Sequence, residues 1–102
     1  VFVAMSRKAN LEGLGLEALG VIEPGMPVKQ FNPQTMQVKN LPIFVAGDVK
    51  QGRSILNEAA DEGRIAGYNA ASESITPFRR RTPLQIVHTE PAIAIAGVAH
   101  AE

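Results

Sequence analysis

Gly47 and Asp48 close an apolar run, Ile43 to Ala46, and stand just ahead of an alanine-rich stretch that opens near Ile55. An acid at the carboxyl end of a buried strand, before a helix, lies where open α/β sheets bind their ligands. Gly47 permits close approach to the backbone. Asp48 offers a carboxylate that accepts hydrogen bonds from a ligand hydroxyl, while the first N–H groups of the helix face a negative or electron-rich group. The same residues also suit a plain turn in which Asp48 caps nearby backbone amides. Spacing alone leaves both readings open.

Other chemistries have less to work with. The chain has no cysteine, hence neither a disulfide framework nor a thiol nucleophile, and its two histidines, His88 and His100, stand apart. Both read as packing or surface groups, so no catalytic residue and no metal ligand is assigned. Arg79 to Arg81 could contact phosphate, but their place between Pro77 and Pro83 reads as a solvated connector. Ten basic residues balance ten acidic ones, a net charge of zero that carries no nucleic-acid footprint. The apolar stretches are too short to cross a bilayer and no secretory pattern opens the chain, so no membrane partner is expected and the protein should be soluble.

The elements that must position Asp48 can be read from the apolar pattern. Val1 to Met5 is β-branched and aromatic enough for a buried strand, followed by a polar turn at 6–10. The glycines within the leucine pattern at 11–21, Gly13 and Gly15 closest together, suit a compact loop. Residues 28–38 read as a β-hairpin around Asn32-Pro33-Gln34, because Asn and Pro favour turn geometry. Pro42 fits a strand entrance, and the continuous apolar run Ile43 to Ala46 predicts an inner strand of a parallel sheet. A helix is expected over 55–74, with Ser54 as N-cap.

On that helix, Leu56, Ala59, Ala60, Gly63, Gly67, Ala70 and Ala71 form an expected buried face of small residues, with Asn57, Glu58, Asp61, Glu62 and Arg64 opposite. Tyr68 is expected to pack along the helix. Leu84 to Val87 and Ile93 to Ala96 read as two further strands separated by Thr89-Glu90-Pro91, the opening of another domain. The chain begins at Val1 within one apolar run and stops just after another. It is therefore expected to be a piece of something longer, with exposed apolar edges that favour a dimer or swapped assembly.

Three motifs, in order, carry a resemblance. Ala4, Arg7 and Asn10 match an Ala-Thr-Gly-Arg-x-Pro-Asn pattern, Ala46-Gly47-Asp48 an Ala-x-Gly-Asp pattern, and Thr89, Pro91, Ala94 and Gly97 the start of a third segment. With the Leu56 to Gly63 stretch, they resemble the FAD-dependent pyridine nucleotide-disulfide oxidoreductases, most closely the dihydrolipoamide dehydrogenase and mercuric reductase-like members. Met5, Ser6 and Ala9 depart from the usual Thr, Gly and Pro.

The resemblance implies an α/β fragment of a FAD/NAD(P)-binding three-layer fold with the start of an α+β interface (dimerisation) domain. Residues 1–40 would end the NAD-binding domain and add a connecting hairpin, and 41–76 would return to the FAD-binding domain. Residues 77–83 would be a linker and 84–102 the start of the interface domain. It also implies that Asp48, beside Gly47, hydrogen-bonds a ribitol hydroxyl of FAD, and that the backbone of Ile55, Leu56 and Asn57 faces the pyrimidine end of the flavin. The cofactors implied are FAD and NAD. The partners implied are the rest of the parent chain, a second copy in a homodimer, and dihydrolipoamide or a lipoyl domain, in the cytoplasm. The cysteine pair, the glycine-rich phosphate loops and the His-Glu acid-base pair of such enzymes have no match here; His88 does not fit the last. A stand-alone α/β binding or assembly module is the other class of function these residues allow.

Overall fold

A computed structural model describes residues 1–52 and 55–97; Ser54 and His100 lie outside the described residues. Among the described residues the chain mixes α and β structure: one α-helix, α1 (Leu56–Ala70), and one antiparallel strand pair, β1 (Leu84–Val87) and β2 (Ile93–Ala96). The core is built from Leu11, Val21, Val28, Val38 and Val45, with Phe31, Leu41 and Ile43 packed against it. The 11–21 stretch is a compact loop, as its glycines predict, closed by the Val21 amide donating to Leu16 O at 3.0 Å.

The hairpin over 28–38 forms where Asn32 and Pro33 place it. Phe31 bridges Val38 in antiparallel fashion, and Asn32 Oδ1 accepts from the Gln34 amide at 2.8 Å. The 43–46 run is not an inner parallel strand. Val38 N–H donates to Ile43 O at 2.9 Å and Val45 N–H to Met36 O at 3.0 Å, so the run lies antiparallel against the hairpin's return arm. The tight turn at Lys39, whose φ is 50°, brings that arm round within a few residues, whereas a parallel neighbour needs a crossover. Parallel pairing occurs one step later, where Val28 bridges Lys50.

Val1 to Met5 forms no strand among the described residues and is exposed throughout, Phe2 at 93%. Strand propensity measures fit to a pleated, half-buried surface, and no sheet edge lies beside this segment among the described residues. Ser6, where the resembling pattern has glycine, has a φ of 52°, in the left-handed region that glycine enters freely.

Helix α1 is shorter than 55–74 and buries a different face. It stops at Ala70, where the Ser72 amide tightens the last turn with a bond to Asn69 O at 3.3 Å and Ser72 Oγ donates to Tyr68 O at 2.7 Å. The buried residues are Glu62, Ile65 and Asn69, a stripe with one apolar member, while Leu56 is 82% exposed and Gly63 and Gly67 are exposed. Small residues gave no apolar area to bury; two polar side chains with fixed partners set the orientation instead. A Cβ added at Gly63 would meet nothing within 4 Å. Gly63→Leu is therefore not expected to overpack, and Gly63→Ala should stabilise this chain by about 0.5 to 1 kcal/mol through helix propensity alone. Thermal melts followed by circular dichroism check this; a lower Tm for the alanine variant would contradict it.

The 77–83 connector is not wholly solvated. Arg79 and Arg81 are exposed, but Arg80 folds onto α1, its side chain 21% exposed. Tyr68 meets the Phe78 ring edge-on at 5.1 Å between centroids, although half of it stays in solvent. β1 and β2 form as their apolar pattern predicts, Leu84 opposite Ala96 and Val87 opposite Ile93, with His88 exposed at the turn.

Candidate functional site

The turn carrying Asp48 is a single 3-10 turn, Gly47–Val49. Gly47 has a φ of 70° and lies so close to α1 that a Cβ there would stand 3.4 Å from the Cβ of Ala59. Its conformation and its nearness to the helix both favour glycine. Two sets of hydrogen bonds fix the turn. On one side Val28 N–H donates to Val49 O at 2.9 Å and Gln51 N–H to Val28 O at 2.8 Å. On the other, the Gly47 amide donates to Glu62 Oε2 at 2.8 Å.

Asp48 projects outward, half its side chain in solvent, with Arg7 Nη1 3.2 Å from Oδ2. The pair joins residues far apart in sequence, but at this exposure it adds little to stability. Asp48 and Arg7 line a cleft of about 420 Å³ together with Met26, Lys50 and Gly52.

Below the turn lies a charged cluster that sequence reasoning missed. Glu62, 2% exposed, accepts from Lys50 Nζ at 2.9 Å and Arg80 Nη2 at 3.3 Å through Oε1. Arg80 also reaches Glu58 Oε2 at 3.2 Å and Asp61 Oδ2 at 3.1 Å. Lys50 Nζ further stands 5.4 Å from the centre of the Phe31 ring. The available signal was the spacing of Glu62 and Asn69 about Ile65, which puts all three on one helical stripe. Arg80 gave none, since nothing separates it in sequence from the exposed arginines on either side.

The predicted site residues are only partly brought together. Gly47 packs on the helix, and Ile55 takes the N-cap position of α1, half-buried. Leu56 and Asn57 are exposed, and Asn57 lines a separate cleft of about 480 Å³ with Glu58, Asp61, Arg80 and Leu84. Among the described residues, no group of three acidic or histidine side chains is placed to hold a metal ion, and no helix is long and apolar enough to cross a membrane.

Comparison with known proteins decides the family. The chain is 37% identical over 89 residues to an NAD(P)H dehydrogenase (quinone) of Mycobacterium tuberculosis, covering 87% of this chain and 18% of that protein. It is 35% identical over 98 residues to a mercuric reductase of Staphylococcus aureus, with 96% of this chain and 18% of the reductase covered. A dihydrolipoyl dehydrogenase of Bacillus subtilis is 34% identical over 100 residues, 96% of this chain and 21% of the enzyme. The chain belongs to the pyridine nucleotide-disulfide oxidoreductase family. It spans about a fifth of the length of these curated family members. No family model and no solved structure matches it.

Proposed function

We propose that this chain is the segment of a flavoprotein oxidoreductase that carries the ribitol contact of FAD, with Asp48 as the contacting residue. The observation that supports this most is the Asp48 turn: a half-exposed carboxylate at a cleft, on a left-handed glycine held by backbone on one side and a buried acid on the other. A polyol fits such a group, because its hydroxyls donate to a carboxylate and an accessible acid meets them without losing a buried partner. The cleft suits the middle of a dinucleotide, and the rest of FAD would lie on parts of the protein beyond this segment.

Bound FAD supplies a two-electron relay between a dithiol and a nicotinamide. What this chain contributes is binding and electrostatics. Asp48 orients the ribitol, and the backbone at Ile55, Leu56 and Asn57 places the positive end of α1 toward the flavin's pyrimidine side. A helix N-terminus stabilises a nearby anion by about 0.3 to 2 kcal/mol. For a two-electron couple this raises the potential by roughly 5 to 45 mV.

The parent activity proposed is dihydrolipoamide oxidation by NAD+ to lipoamide and NADH, through FAD and a redox disulfide, in a cytoplasmic homodimer. Within its three-layer fold, 1–40 close the NAD-binding domain and 41–76 re-enter the FAD-binding domain. Residues 77–83 link to the interface domain that 84–102 begin. The relatives, an NAD(P)H dehydrogenase (quinone), a mercuric reductase and a dihydrolipoyl dehydrogenase, support a reductase or dehydrogenase of this kind; mercuric ion, quinone and glutathione disulfide are the competing acceptors. Purifying the intact protein that carries this segment tests the reading. The expected result is bound flavin and NADH formation from dihydrolipoamide and NAD+. A colourless protein that binds no added FAD would refute it, and flavin-dependent reduction of mercuric ion, glutathione disulfide or quinone without lipoamide turnover would overturn the substrate.

A further inference from the structure

We infer that Glu62 is the positioning residue for Asp48, a strut that sets the distance between the Asp48 turn and the start of α1. The inference rests on the proposal that Asp48 meets the ribitol of FAD. Asp48's own side chain is held only loosely, by an exposed Arg7, so its place is determined by the backbone that carries it. That backbone is clamped at two points. Val28 holds the downstream side of the turn through Val49 O and the Gln51 amide. Glu62 holds the upstream side through the Gly47 amide, one residue before Asp48.

The Glu62 clamp is stiff for a chemical reason. Both carboxylate oxygens are engaged, Oε2 by the Gly47 amide at 2.8 Å and Oε1 by Lys50 at 2.9 Å and Arg80 at 3.3 Å. Charge-assisted bonds of this kind are short and directional. A buried ion pair is weak support for stability, because desolvation offsets much of the attraction. Its effect here falls on geometry. Glu62 sits on α1, the helix whose first residues are proposed to face the flavin, and it grips the turn whose acid is proposed to meet the ribitol. One side chain thus fixes the spacing of two groups that must meet the same cofactor, and Arg80 ties that strut to the connector leading into β1.

The test is a double-mutant cycle in the intact protein, with FAD titrated into apoprotein. Asp48→Ala and Glu62→Gln should each raise the Kd for FAD, the second by about threefold to a hundredfold. Glu62→Gln added to Asp48→Ala should raise it no further, because the strut acts only through the residue already removed. If the two effects multiply, or if Glu62→Gln alone leaves the Kd unchanged while Asp48→Ala raises it, Glu62 is structural and the inference fails. If Asp48→Ala alone leaves the Kd unchanged, the ribitol proposal itself fails. Should Glu62→Gln not fold, Glu62→Asp keeps the charge beside Lys50 but shortens the reach to the Gly47 amide, and the same cycle is read with it.

Discussion

Glu62→Ala is expected to destabilise this chain by about 3 to 5 kcal/mol, the usual cost of deleting one partner of a buried ion pair. The reason lies in what remains. Among the described residues, Lys50, its side chain 7% exposed, then keeps the Phe31 ring face for its charge, and the Gly47 amide loses its acceptor. A domain of this size is stabilised by only about 5 to 15 kcal/mol, so the loss should be visible in any unfolding curve. Replacing both charges, Lys50→Met with Glu62→Met, should cost less than Glu62→Ala alone, because no buried charge is then left unpaired. Urea unfolding of the three chains checks the order. A Glu62→Ala chain within 1 kcal/mol of the parent sequence would mean that the cluster is solvated.

Asn69→Ala is the second large effect, about 2 to 4 kcal/mol, from buried backbone groups losing their partners. Asn69, 1% exposed, donates through Nδ2 to Thr35 O at 3.1 Å and Thr76 O at 3.0 Å, and its Oδ1 accepts from the Thr76 amide at 2.8 Å. It therefore joins α1 to the 28–38 hairpin and to the chain that follows the helix. Alanine removes all three bonds. Asn69→Asp keeps the Thr76 amide bond but turns an anionic oxygen toward two carbonyls, so it should destabilise at least as much. An aspartate variant as stable as the parent sequence, with an unchanged denaturant slope, would refute the assigned amide orientation.

The readings that succeeded rested on local chemistry. Asn32 and Pro33 dictate their turn whatever surrounds them, and the apolar runs of β1 and β2 find each other across a short loop. The family was legible for the same reason, since Ala46-Gly47-Asp48 and Thr89 to Gly97 are contiguous motifs. The readings that failed depended on partners distant in sequence. An apolar run such as Ile43 to Ala46 does not say whether its hydrogen bonds go to a remote parallel strand or to the hairpin beside it, and here they go to Met36 and Val38. The buried face of α1 was misread because apolar periodicity ignores a polar residue with a partner. Glu62 is buried because Lys50, Arg80 and the Gly47 amide await it, and none of these lies on the helix. Arg80 was misread in the same way, from the other end of the same contacts.

The central claim is that Asp48 binds the flavin, and the most direct measurement is paired. In the intact protein, the flavin-to-protein absorbance ratio and the apoprotein Tm are determined for the parent sequence and for Asp48→Ala. A charge-assisted bond to a ribitol hydroxyl contributes about 1.5 to 3 kcal/mol, so the variant should lose roughly tenfold to more than a hundredfold in FAD affinity. It should purify with depleted flavin while its apoprotein melts at nearly the same temperature, since the exposed Arg7 pair adds little. A variant that keeps its full flavin complement while its apoprotein melts several degrees lower would contradict the account and leave Asp48 a residue of the turn alone.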